Sequence, residues 1–287
     1  GDEAPPAIVS IFLGQELTDM LETIEKDAAY EQQDRQEMKV GVHILPRFAR
    51  DTTDRNRTSP FAFTGNKFEF RMLGSSSSIS DTNVMLNTMV ADVFMEYSER
   101  LEKATDKESE ITAIIKNCVE NHKRIIFNGD GYSKEWEEEA EKRGLLNLKS
   151  TVDALPLLKT EENVALFERH GVFNRAEIDS RVDIILENYA KTVHIEALTL
   201  MDMMNRDVIP AITAYVSSLC EAVNNKNLIR ADSSVEYELI TRLSAANKEI
   251  FTLTSNLKAA VASAERSSNI FEKASEYRNI ILKIMAD

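Results

Sequence analysis

The sequence predicts an α+β fold, predominantly α-helical, with antiparallel strands in its first part and a long helical hairpin in its last. Three observations carry this. Residues 67–72 alternate strictly between charged and apolar side chains, the period of a strand whose two faces meet different surroundings. Strand signals then stop at a helix expected from Thr82. Two long apolar stripes at helical spacing fill the second half. Residues 1–104 are accordingly read as a strand-bearing domain and 105–287 as a helical domain, with long antiparallel helices over about 175–225 and 234–285.

Taken in order, residues 7–12 read as a buried strand, and residues 15–28 as a helix with Leu17, Leu21, Ile24 and Ala28 on one side. Residues 31–37 form a polar loop. Val40, Val42 and Ile44 alternate along a strand over 39–45 that Pro46 ends. A charged loop covers 47–58. Phe61–Phe63 then pairs with the strand from Lys67 as a hairpin turning at Thr64-Gly65-Asn66. That strand sends Phe68, Phe70 and Met72 to one face and Lys67, Glu69 and Arg71 to the other. After a Gly-Ser loop over 74–80, Ser80 or Asp81 caps a helix that turns Val84, Leu86, Val90, Phe94 and Tyr97 inward.

The remainder reads as helical. Thr105, Asp106 or Lys107 opens a helix through Ile125, Ser133 with Trp136-Glu137 forms a capping box ahead of a helix ending at Gly144, and a short helix over 161–170 closes at Gly171. One stripe runs Val182, Ile185, Tyr189, Val193, Ala197, Leu200 and Met204. It passes a kink at Pro210 and continues through Ile212, Tyr215, Leu219 and Val223. After a turn over 224–232, the second stripe runs in heptads through Leu243, Ala246, Ile250, Leu253, Leu257, Ala260, Ala264, Ser267, Phe271 and Ala274.

With 287 residues, 43% of them hydrophobic, the chain can bury one large core or two modest ones. Its net charge of -14, spread over both halves, argues against a nucleic-acid or anionic-membrane partner. Cys118 and Cys220 lack the paired spacing of a disulfide framework or zinc site, so a cytoplasmic setting is expected. The longest apolar run, residues 7–13 broken by Ser10, is too short to span a bilayer, and no basic-then-apolar leader opens the chain.

The hairpin gathers chemistry. If it closes, Arg55, Arg57, Lys67 and Arg71 surround Glu69, a cluster suited to phosphate, with the carboxylate available to a divalent metal. Asn56-Arg57-Thr58-Ser59 followed by Phe68-Glu69-Phe70-Arg71 resembles the late catalytic region of glutamine synthetases, specifically the type III bacterial form. The likeness extends to Glu3-Ala4-Pro5-Pro6, Gly74-Ser75-Ser76, residues 122–156 with Phe127-Asn128-Gly129 and Lys142-Arg143-Gly144-Leu145, and residues 188–203. It implies that the chain is the C-terminal part of a longer enzyme, whose remaining metal ligands precede Gly1.

The resemblance implies an ATP-dependent ligation of ammonia to glutamate through a γ-glutamyl phosphate, with ATP and Mg²⁺ or Mn²⁺ required. By match to the family motif, Arg57 contacts the ATP phosphates and the glutamyl phosphate. Glu69 ligates a metal ion, and Arg71 holds the glutamate carboxylate with its planar fork. Glu3 resembles the carboxylate that takes a proton from ammonium. Lys67 falls where the family often has a nucleotide-contacting Arg. Ala62 stands where many members carry a second Arg, leaving that contact to Lys67 or to residues upstream. The family also implies a homo-oligomer of stacked hexameric rings. A non-catalytic helical assembly module and a glutamate-amine ligase with another acceptor are the competing readings.

Other residues read as structural. His43, His122, His170 and His194 share no ligand spacing, Met201, Met203 and Met204 read as core filling, and Glu135, Glu137, Glu138, Glu139 and Glu141 as a solvated helix face. Trp136 is expected to pack on a neighbouring helix.

Overall fold

A computed structural model of the chain describes residues 8–28, 37–38, 48–49, 59–64, 67–71 and 78–287. The expected strand over 39–45, the Gly65-Asn66 turn, Met72 and the first part of the Gly-Ser loop lie outside the described residues. The α+β, mainly helical character holds. Chain contacts group residues 1–149 with 166–172, and residues 150–165 with 173–287. The predicted boundary at 104/105 thus falls inside the first group.

In that first group, β1 (Ile11–Phe12) pairs with β4 (Phe61–Phe63), which pairs with β5 (Phe68–Phe70). The β4–β5 pairing is antiparallel, as the hairpin requires, and its neck is closed by Thr64 N–H donating to the Lys67 carbonyl at 2.9 Å and Arg71 N–H to the Pro60 carbonyl at 2.8 Å. The β1–β4 pairing is parallel, so the sheet is mixed and not purely antiparallel. β1 is shorter than residues 7–12. Two further residues pairs, β2 (Glu37–Met38) and β3 (Phe48–Ala49), form an antiparallel ladder within segments read as loops. At two residues each they are too short to show a period.

Helix α1 (Gln15–Glu25) follows Gly14, whose φ of 78° suits glycine. It lies against α3 (Lys107–His122), with Lys123 bound to Glu25 and Lys116 to Asp27. Asp106 caps α3 as expected, its carboxylate accepting from the N–H groups of Glu108 and Ser109. α2 (Ser80–Lys103) begins at Ser80 itself with no side-chain cap, which corrects the Ser80 or Asp81 cap. Its Val90 and Phe94, expected inward, are 49% and 68% exposed. Ser133 caps α4 (Lys134–Lys142), but the third helical residue is Trp136, whose side chain offers no acceptor, so the reciprocal half of a capping box is not made. Gly144 follows with φ 69°.

The second group opens with α5 (Thr151–Leu158), a helix capped by Ser150 that the stripe reading passed over. α6 (Glu161–Arg169), whose residues from 166 onward are grouped with the first part, ends before Gly171, at φ 61°. α7 (Arg175–Met203) starts in a full capping box between Asn174 and Glu177. It buries Ile178, Val182, Leu186, Ala190, Val193 and Ala197, so the inward stripe is shifted from the predicted Ile185 and Tyr189. Ahead of Pro210 the helix widens to a π turn over Met204–Val208 before α8 (Ile209–Leu228). The proline cannot donate to the preceding turn, and the π turn absorbs the missing bond.

α9 (Ser234–Ala264) returns along α8, burying Leu219 and Val223 from the latter, while Tyr215 stays 52% exposed. The predicted second arm does not run unbroken to 285. α9 stops at Ala264, and Asn269 caps a separate α10 (Ile270–Glu276) by accepting from Phe271 and Glu272 N–H. Ser267-Ser268-Asn269 is a break and cap signal that the heptad count absorbed as a single polar position. A π turn over Tyr277–Ile281 then leads to α11 (Leu282–Ala286). Ala190, Val193, Ala197, Leu257, Val261, Ala264, Tyr277 and Ile281 form the core of this group. No helix among the described residues is long and apolar enough to cross a membrane.

Candidate active site

The hairpin places the predicted cations and carboxylate together. Lys67 Nζ lies 3.2 Å from Glu69 Oε1, and Arg71 donates from Nη2 at 3.1 Å and Nε at 3.3 Å to Glu69 Oε2. Each carboxylate oxygen therefore has its own cation. The hydrogen bond from Lys67, then that from Arg71, holds the Glu69 carboxyl below its usual range, so it is ionised at neutral pH. Alternation alone brings this about, because residues 67, 69 and 71 project to one side.

The surroundings invert the simple amphipathic expectation. Phe61, Phe63, Phe68 and Phe70 share the other face as a ladder of rings with centroids 5.2 to 5.9 Å apart, yet Phe68 is 52% exposed. On the charged face Ala62, the direct cross-strand partner of Glu69, is fully buried, and the Arg71 side chain is only 15% exposed. Paired residues on antiparallel strands share a face. The charged face is thus enclosed at its Ala62–Arg71 end and open at Lys67, whose side chain is largely exposed. Burial at Ala62 leaves the carboxylate to Lys67 and Arg71.

Glu3, Arg55 and Arg57 lie outside the described residues. Among the described residues no group of three His, Cys, Asp or Glu side chains could hold a metal ion. Glu69 can offer one or two oxygens. His170 instead meets Asp92 at 2.9 Å, and His194 Nδ1 meets the Tyr277 hydroxyl at 2.7 Å, so both imidazoles have structural partners. Met203 is 49% exposed, so it does not fill a core. A cavity of about 600 Å³ lies between α7 and α10, lined by Ser180, Asp183, Ile184, Glu187 and Ile270, with its carboxylates already paired to Lys159 and Lys191.

Residues after α3 brace the sheet, which local patterns could not reveal. Ile126 bridges Ile11 in parallel, and Phe127 N–H donates to the Ile11 carbonyl at 3.0 Å. Asn128 Oδ1 accepts from the consecutive N–H groups of Leu13 and Gly14 at 3.1 and 3.0 Å, while its Nδ2 donates to Thr18 Oγ1 at 2.9 Å. One amide thereby fixes where β1 ends and α1 begins. Trp136 is fully buried against Ile8, Ala140 and the stacked ring of Phe127, centroids 4.2 Å apart, so its partner is a connecting segment more than another helix. Arg143 covers the Trp136 ring and donates to the carbonyls of Ile126 and Arg124. A Cβ at Gly129 would come within 2.5 Å of the Phe127 ring, which explains glycine there. The signal available in the sequence was the Phe-Asn-Gly triplet between two helices.

Residues 110–227 match the family model described as glutamine synthetase C-terminal domain. The chain is 38% identical over 292 residues to a glutamine synthetase of Butyrivibrio fibrisolvens, covering 99% of this chain and 41% of that protein. It is 41% identical over 227 residues to the type-3 glutamine synthetase of Dictyostelium discoideum, covering 78% of this chain and 31% of that protein. A glutamine synthetase of Bacteroides fragilis (strain YCH46) is 33% identical over 293 residues, 98% of this chain and 40% of that protein. The chain thus spans less than half the length of the curated relatives it matches.

Proposed function

The chain belongs to the glutamine synthetase family, and from that premise we propose that it supplies part of the active site of an ATP-dependent glutamate–ammonia ligase of type III. The observation that supports this most is the carboxylate–cation cluster beside the buried Ala62, where Lys67 and Arg71 hold Glu69 ionised and Lys67 stays accessible. Cations held in fixed positions suit a reaction whose difficulty is negative charge.

In this reading ATP phosphorylates the side-chain carboxylate of glutamate, releasing ADP, and ammonia then attacks the acyl carbon and displaces phosphate. Arg71 orients the glutamate carboxylate through its two-pronged fork, and Arg57 and Lys67 neutralise the phosphate oxygens. Glu3 takes the proton that ammonium must lose before its lone pair can attack. Glu69, a hard and ionised oxygen ligand, would hold a divalent ion such as Mg²⁺ or Mn²⁺ once the exposed Lys67 side chain turns away from Oε1 toward phosphate. Such an ion would supply neutralisation of phosphate charge. A cytoplasmic homo-oligomer belongs to the same reading.

The test is ammonia-dependent ADP release and γ-glutamyl transfer by the intact protein. Arg57→Ala and Arg71→Ala are each expected to lower turnover at least about 100-fold, and Glu69→Gln to raise the Mn²⁺ concentration needed for half activity. Activity within twofold of wild type for all three variants would reject these roles.

A further inference from the structure

We propose that Asn128 is a positioning residue for the Glu69–Arg71 cluster: it fixes the end of β1 and, through the sheet, the place where β5 presents its carboxylate. In the ligase reading, on which this role rests, Asn128 acts from the far side of β1. It closes a ring of hydrogen bonds. Its Oδ1 accepts from the N–H groups of Leu13 and Gly14 at 3.1 and 3.0 Å, the Gly14 carbonyl accepts from the Thr18 hydroxyl at 2.8 Å, and Thr18 Oγ1 accepts from Asn128 Nδ2 at 2.9 Å. Each residue in the ring both gives and receives, so its bonds strengthen one another. Helix α1 has no side-chain cap of its own, and this distant amide takes the place of one.

The ladder carries that constraint to Glu69. Phe12, next to Leu13, pairs with Ala62 in parallel, and Ala62 pairs with Glu69 in antiparallel fashion, so Phe12, Ala62 and Glu69 form one row across three strands. β1 contributes only Ile11 and Phe12 to the ladder, too few for backbone pairing alone to fix its register. Asn128 fixes it one residue past the ladder's end. β5 has β4 as its neighbour in the sheet and no further strand beyond it among the described residues. Where β4 is held, β5 follows.

The anchor is itself held from behind. Ile126 bridges Ile11, Phe127 N–H donates to the Ile11 carbonyl, and the Phe127 ring stacks on the fully buried Trp136. Arg143 donates to the Ile126 carbonyl at 2.9 Å. Asn128 therefore moves with a braced segment and not with a free loop. A ligand to a divalent ion must keep its oxygen in place to about 0.5 Å, and groups that orient metal ligands from behind are worth about 10- to 100-fold in metal affinity or activity. Asn128 is such a group, acting through the backbone ladder in place of a direct hydrogen bond to Glu69.

The test is the Mn²⁺ dependence of ammonia-driven ADP release by the intact protein. Asn128→Leu, similar in size and without hydrogen-bonding groups, is expected to raise the Mn²⁺ concentration for half activity about 10-fold. Loss of folded protein alone would lower turnover and leave that concentration where it was. Asn128→Asp keeps an oxygen facing both N–H groups and is expected to stay within about threefold of wild type. Thr18→Val opens the ring from its other side and should shift the Mn²⁺ dependence in the same direction, which keeps the test decisive if Asn128→Leu does not fold. Because the effect passes through Glu69, Asn128→Leu should add little in a Glu69→Gln background, whereas independent effects would multiply. A wild type without ammonia-driven turnover overturns the ligase reading and this role with it. A wild type that turns over and responds to Glu69→Gln, while Asn128→Leu and Thr18→Val leave the Mn²⁺ dependence unchanged or multiply with Glu69→Gln, overturns this role alone.

Discussion

Two regions of this chain each gather hydrogen-bond donors around one carboxylate, and they differ in how the donors arrive. Glu69 receives Lys67 and Arg71 from its own strand, two residues to either side. Glu265, at the end of α9, receives Lys273 at 2.9 Å and the Tyr277 hydroxyl at 2.6 Å, and that hydroxyl also meets His194 of α7 at 2.7 Å. Tyr277 is fully buried, whereas Lys67 is largely exposed. The first cluster is assembled by strand period and stays open to a ligand. The second is assembled by packing of three helical segments and is closed by an aromatic ring. A carboxylate–cation group of this kind is chemistry in one place and a fastening in the other, and accessibility decides which.

The sharpest way to break the comparison is Tyr277→Ala. Emptying a site enclosed by Val193, Ala197, Val261 and Ile281 should cost about 3 to 5 kcal/mol, read as a lower urea midpoint with unchanged slope. A mutant within 1 kcal/mol of wild type would mean that the ring is not the keystone of this core. Tyr277→Phe keeps the ring and removes the hydroxyl shared by Glu265 and His194, and about 1 kcal/mol is expected in the same measurement.

Acid titration sharpens the contrast further. The Tyr277 hydroxyl, followed by Lys273, holds the Glu265 carboxyl below its ordinary value. A depressed folded-state value gives stability that is present above the unfolded carboxyl range and is lost as the pH falls through the folded value. The melting temperature should therefore drop below about pH 4, and Glu265→Gln should flatten that drop. An equally steep drop in the variant would assign the acid sensitivity to other carboxylates. The smallest expected effect is that of Glu69→Gln on stability, because its pairing is solvent-exposed. No resolvable change in thermal midpoint is expected, and a clear loss would make Glu69 a fastening as well.

The same contrast explains what could be read in advance. Lys67 to Phe70 announced a strand and its two faces because period two is local, and Ser133, Asp106 and Gly171 announced helix ends because caps act within a few residues. The enclosure of Ala62 and the exposure of Phe68 reverse what alternation implies, since burial depends on what else covers each face. The heptad count ran through Ser267 because periodicity carries no penalty for a capping asparagine two residues on. Asn128 belongs to no periodic pattern, and its two acceptor bonds reach residues 115 and 114 positions away.

By itself the sequence determined much of the local order of this protein: the helical character of its second half, the caps at Asp106 and Ser133, and that Lys67, Glu69 and Arg71 share a side, because side-chain period and cap chemistry are properties of neighbouring residues. Tertiary structure alone decided that Ala62 is buried beside Glu69 while Phe68 is exposed, that Asn128 ties β1 to α1, and that Tyr277 closes over Glu265. These depend on which distant segments come to lie against one another, and burial, not pattern, sets their energies.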